Sequence, residues 1–140
     1  MRVVLDTDVM VAGLRSNAGA SRRIVRAALS KRFELLLSVP LMVEYEAVMK
    51  RREHLAAAGA SSSDIDRILD ALASVGTPVT PAFSWRPVLS DPADEMVLET
   101  AVNGIADMIV TFNLRHLGKA ASRFGIRASR PPEAVRLLEV

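Results

Sequence analysis

Apolar and polar positions alternate in blocks along this chain. Arg2-Val3-Val4-Leu5 is a short apolar run that reads as a buried strand. It meets Asp6-Thr7-Asp8, and Val9 to Leu14 then resumes at helical spacing. Ser21 can cap a helix with Ile24, Val25, Ala28 and Leu29 on one face. Residues 33–38 predict a second strand. Pro40 suits the first turn of a helix whose apolar face is Leu41, Tyr45, Val48 and Met49. Ser61-Ser62-Ser63-Asp64 starts another helix, carrying Ile65, Ile68, Leu69 and Leu72. Residues 77–80 form a short strand, and residues 81–89 are a proline-rich connector holding the one tryptophan, Trp85. Asp91-Pro92 opens a helix that Gly104 ends. Residues 108–112 are a strand, a helix follows from Leu114, residues 125–128 are an edge strand, and Pro131 begins a last short helix.

This βαβα order predicts an α/β protein with a mainly parallel sheet covered by helices. No repeat or linker divides residues 1–140, so one domain is expected. Half the residues are hydrophobic but only 4% are aromatic, so the core is aliphatic. The 18 Lys and Arg against 16 Asp and Glu leave a net charge of +2, too small an excess to imply nucleic acid by itself. Cysteine is absent, which excludes disulfides and thiolate metal sites and fits a reducing cytoplasm. Two histidines, His54 and His116, make an all-histidine zinc site unsuitable, so a metal here would be held by oxygen, as Mg²⁺ or Mn²⁺ are. Asp6 and Asp8 interrupt the apolar N-terminus, against a signal peptide, and no apolar run is long enough to span a membrane.

Four places hold polar residues where apolar ones would serve the fold better: Asp6 at the end of the first strand, Glu44 beside the apolar face of the third predicted helix, Asp94 on the inward stripe of its helix, and Asn113 after the strand 108–112. Parallel strands end on one common edge, so residues far apart in sequence can converge there. Clustered carboxylates repel one another and attract a divalent cation, which can polarise a phosphodiester and lower the pKa of a bound water. Asp8, Glu99 and Asp107 are auxiliary candidates for the same metal. Each residue also has a plain structural reading: Asp8 and Asn113 as caps, Asp91 or Asp94 as partners of a helix dipole, Glu44 as a surface residue. Of the many cations, Arg15 and Arg115 follow acidic blocks closely and are the candidate substrate contacts.

The blocks Leu5-Asp6-Thr7-Asp8-Val9-Met10-Val11, Pro40-Leu41-Met42-Val43-Glu44-Tyr45, Asp91-Pro92-Ala93-Asp94-Glu95 and Ala106 to Asn113, in that order, resemble those of PIN-domain proteins, closest to the VapC-like toxins of toxin–antitoxin pairs. The resemblance implies a three-layer α/β/α domain acting as a metal-dependent endoribonuclease on RNA. It further implies Asp6, Glu44 and Asp94 as acidic metal-site residues, Asn113 in the place of a fourth, an antitoxin protein as partner, and often a homodimer. Two departures stand out: the family usually has Asn where this chain has Asp8, and often Asp where it has Asn113. Two other readings stay open. A strand followed by Asp-x-Asp also resembles haloacid-dehalogenase-type phosphatases, with Ser38 ending the second strand. A module with weakened acidic positions could instead serve a protein partner.

Overall fold

The computed structural model describes residues 1–80, 89 and 91–140; the connector with Trp85 lies outside them. Five short parallel strands form the sheet: β1 (Arg2–Leu5), β2 (Glu34–Leu37), β3 (Thr77–Pro78), β4 (Met108–Val110) and β5 (Arg127–Ser129), in the order β3-β2-β1-β4-β5. Val3, Val4 and Leu5 pair with Met108, Ile109 and Val110, all buried, as expected of central strands covered on both faces.

The strand order fixes the layers. From β1 the chain moves outward to β2 and β3; from β4 it moves outward the other way to β5. Right-handed crossovers then place the two sets of connections on opposite faces. The first set comprises α1 (Thr7–Arg15), α2 (Ala20–Leu29), α3 (Val39–Met49), α4 (Arg52–Ala58) and α5 (Ser62–Val75). The second comprises α6 (Pro92–Asn103), packed on β1, β2 and β4, and α7 (Lys119–Ser122). The closing helix α8 (Pro131–Leu138) returns to α2. The result is the three-layer α/β/α architecture. The direction of travel reverses between β1 and β4, and the crevice at that reversal is where open α/β sheets bind ligands.

Local chemistry explains most boundaries. Ser38 caps α3, with Pro40 in its first turn. The Ser38 and Thr100 hydroxyls lie 2.8 Å apart, and Thr100 passes its own proton to the Met96 carbonyl. This buried chain and the cap give Ser38 a structural role, which removes its support for the phosphatase reading. Ser61 and Asp64 form a reciprocal capping box at α5. Asp91 caps α6 through the Ala93 N–H. Gly104 ends α6 where a Cβ would come within 2.9 Å of the Thr100 carbonyl oxygen and 2.8 Å of Leu36.

Several expectations need correction. Gly19, not Ser21, stands at the N-cap of α2, and Ser21 is buried inside the helix. The short helix α4 went unforeseen because it buries none of its residues and so carries no apolar stripe. The segment after Asn113 begins as a wide π-helical turn, Leu114–Gly118, before α7. Among the described residues no helix is long and apolar enough to cross a membrane.

Candidate active site

The carboxyl ends of β1 and β4 carry the polar residues. Asp6 follows β1 directly, and its carboxylate is held twice: Oδ1 accepts the Thr7 N–H at 2.7 Å, capping α1, and Oδ2 accepts the Thr111 hydroxyl at 2.6 Å. Thr111 is fully buried just beyond β4; its backbone N–H donates to the Ser129 carbonyl at the end of β5, and its hydroxyl also accepts the Asn113 N–H. Behind β1, the buried Tyr45 of α3 donates its hydroxyl to the Leu5 carbonyl. The sheet end that carries Asp6 is therefore fixed on three sides.

Asp8 lies in the first turn of α1, not in an extended segment, and it is not the cap; Asp6 is. Its Oδ2 accepts the Phe112 N–H at 3.1 Å, tying α1 to the end of β4. Its Oδ1 is buried and has no hydrogen-bond partner among the described residues. An orphaned carboxylate oxygen beside Asp6 calls for a bridging proton or a cation. Burial and the charge of Asp6 push the Asp8 carboxyl up to about 7. Asp6 is itself raised, first by burial and also by the charge of Asp91, against the pull of its bonds to Thr111 and Thr7. Burial and the Asp6 charge hold the Tyr45 phenol well above its ordinary range.

The helix α6 brings the second group of acids. Asp94 is half-buried in its first turn, and Oδ2 accepts the Asn113 side-chain N–H at 2.9 Å. Burial, then the charges of Asp6 and Asp91, raise the Asp94 carboxyl; His116 and the Asn113 bond oppose this. Asn113 also accepts from the His116 backbone N–H at 3.4 Å, so it serves as the cap of the wide turn while it holds Asp94. Sequence reasoning placed Asp91 only at a helix end. Its charge acts on both Asp6 and Asp94, so it belongs to the same field; the signal was its position three residues before Asp94.

Other candidates stand elsewhere. Asp107 precedes β4 and accepts the Arg2 N–H at 2.8 Å, at the start of β1 and the opposite edge of the sheet from Asp6. That removes it from any shared ligand set. Arg15 closes α1, about 13 Å along the helix axis from Asp6, with its guanidinium 3.4 Å from His54 Nδ1. Glu99 lies roughly 7 Å further along α6 than Asp94 and on a different face. Glu44 is half-buried on α3 beside Tyr45 and has no hydrogen bond or ion pair among the described residues. The carboxylates that press on Asp94 are Asp6 and Asp91, not Glu44. Arg115 does adjoin the cluster, two residues after Asn113 on the wide turn.

Among the described residues no three Asp, Glu or His side chains converge as placed on one metal-binding point. The donor set still suits a hard divalent cation: all-oxygen ligands, carboxyls that raise one another, and one buried oxygen with nothing to bind. No curated protein matches the chain. The family model described as PIN domain matches residues 2–115, which include β1 to β4 and every acid of this cluster. With most of its length covered, the chain belongs to the PIN-domain family, whose fold is typical of nucleases.

Proposed function

We propose that this protein is a divalent-metal-dependent endoribonuclease and the toxin of a toxin–antitoxin pair. The observation that supports the nuclease reading is that Asp6 and Asp8 stand side by side at the reversal point of the sheet, with Asp8 Oδ1 buried and without a donor, and that the charge of Asp6 also reaches Asp94. Asp6, Asp8 and Asp94 would hold Mg²⁺ or Mn²⁺, with Glu44 reaching in from α3. The ion, when bound, supplies a polarised phosphate and an acidified water. The protein's own part is positional. Thr111 and Thr7 hold the Asp6 carboxyl in place and oppose the rise that burial imposes on it, and Asn113 fixes Asp94. Asn113 in place of a fourth carboxylate lowers the charge of the site by one, and Asp8, where the family usually has Asn, restores it.

The toxin role and its partner, an antitoxin protein that covers the site, rest on the likeness of the four sequence blocks to VapC-like chains, as does a homodimer. The test of the chemistry is cleavage of a mixed RNA pool by the purified protein, with Mn²⁺ or Mg²⁺ and with EDTA, beside Asp94→Asn. This variant suits the purpose because Asp94, unlike Asp6, caps no helix. Cleavage that needs the metal and disappears in the variant is expected. Cleavage that persists in EDTA, or in the variant, would overturn the assignment.

A further inference from the structure

Beyond the acidic cluster, a cleft of about 310 Å³ is lined by Leu89, Arg115, His116, Lys119, Ala120 and Arg123. It adjoins the cluster. Asn113, which binds Asp94, caps the turn that carries Arg115 and His116, and the charge of His116 acts on Asp94. The facing wall, Leu89, is tied to α6 by its N–H, 2.8 Å from Glu95 Oε2. Arg115, Lys119 and Arg123 recur at every fourth residue, which spaces them by about 6 Å along a helix. In a regular α-helix such a row drifts around the axis. The wide π-helical turn between Leu114 and Gly118 takes more residues per revolution and reverses that drift between Arg115 and Lys119, which keeps the row on one side.

These cations have no anionic partner. Among the described residues Arg115, Lys119 and Arg123 make no ion pair, as is true of most of the chain's Lys and Arg, and these three are set apart by lining one cleft. Residues 81–88 and 90 contain no Asp or Glu that could supply one. An exposed cationic row gathered in one cleft beside an anionic site, in a protein whose net charge is only +2, suits an anion with several regularly spaced charges.

We propose that the Arg115–Lys119–Arg123 cleft is a phosphate track that holds the single-stranded RNA flanking the scissile bond, one cation to each successive phosphate. Lys119 and Arg123 lie beyond the family match, which ends at residue 115. The proposal rests on the nuclease reading for the identity of the strand, but not for its test.

The experiment is fluorescence anisotropy of a fluorescein-labelled oligouridylate against the full chain in EDTA, across a range of salt. It compares the unaltered protein with Arg115→Gln/Lys119→Gln/Arg123→Gln and with a control of equal charge loss, Arg26→Gln/Lys31→Gln/Arg136→Gln. Loss of three phosphate contacts lowers the slope of log K against log salt by about 2, or roughly a hundredfold in affinity at 0.1 M salt. The control should keep nearly the full slope. Equal losses in both variants, an unchanged slope in the cleft variant, or no binding by the unaltered protein would each overturn the track. If binding behaves as expected while no RNA is cleaved with any metal, the nuclease reading fails and the track stands. If cleavage depends on metal but KM is unchanged in the cleft variant, the track fails and the nuclease reading stands.

Discussion

Replacing Asp8 by Asn should make the metal-free protein more stable at neutral pH, increasingly so as pH rises. Asp8 keeps one buried oxygen without a donor, and its carboxyl is pushed from 3.8 up to about 7 by burial and by Asp6. A raised carboxyl binds its proton more tightly in the folded state. That contribution is complete below the unfolded value of 3.8 and is lost as pH rises towards 7. At about 1.4 kcal/mol per pKa unit the full swing would be about 4.5 kcal/mol, and partial contact with solvent reduces it to about 2 kcal/mol. The substituted asparagine can still accept the Phe112 N–H through its carbonyl oxygen, and its amide offers Asp6 a permanent donor. Thermal unfolding in EDTA from pH 4 to pH 8, followed by circular dichroism, should show the variant gaining roughly 6 °C on the parent over that range. Saturating Mg²⁺ at pH 8 should narrow the gap by stabilising the parent more. Parallel curves for the two proteins would show that Asp8 does not titrate in this window, and the account of its orphaned oxygen would fail.

Two further predictions concern the supports of the same site. Tyr45→Phe removes a buried donor to the Leu5 carbonyl and should cost about 1–3 kcal/mol in urea unfolding, with RNA cleavage falling as Asp6 loses its anchor; a cost near zero would mean that the carbonyl does not depend on this bond. Asn113→Asp sets a carboxylate against Asp94, replacing a 2.9 Å hydrogen bond with repulsion, so the metal-free form should lose about 1–3 kcal/mol while Mn²⁺ affinity by calorimetry rises. Unchanged Mn²⁺ affinity would sink the idea that Asn113 tunes the site.

What could be read from sequence was local. Pro40, the Ser61–Asp64 pair, Asp91-Pro92 and Gly104 each mark a helix boundary through chemistry within a few residues, and the structure has those boundaries. The parallel sheet followed from buried runs alternating with helical stripes. Strand order did not follow from the pattern, and it decides which residues share an edge. Asp107 stood as an auxiliary candidate because it, like Asp6, adjoins an apolar strand, yet one precedes its strand and the other follows (the difference between opposite edges of a sheet). Arg15 looked near Asp6 because nine residues is short in sequence, but a helix carries them apart. Sequence spacing alone would put Asp6 and Asp8 on one side only if the chain between them were extended. They lie together because the helix begins between them and β4 draws Asp8 in. The π-helical turn has no sequence signature, so its effect on the placement of Arg115 and Lys119 was invisible.

The stretch of chain beyond residue 115 has a consequence for anyone who would define a minimal unit by family likeness. A fragment ending there would lose β5, and β4 would become an open edge with unpaired N–H and C=O groups, a template for strand addition between molecules. It would also lose the Ser129 carbonyl that accepts from Thr111, the residue whose hydroxyl steadies Asp6. This closing stretch thus contributes no acid to the cluster and still determines whether the cluster keeps its shape. Trimming to the recognisable segment should give aggregation before it gives an inactive enzyme.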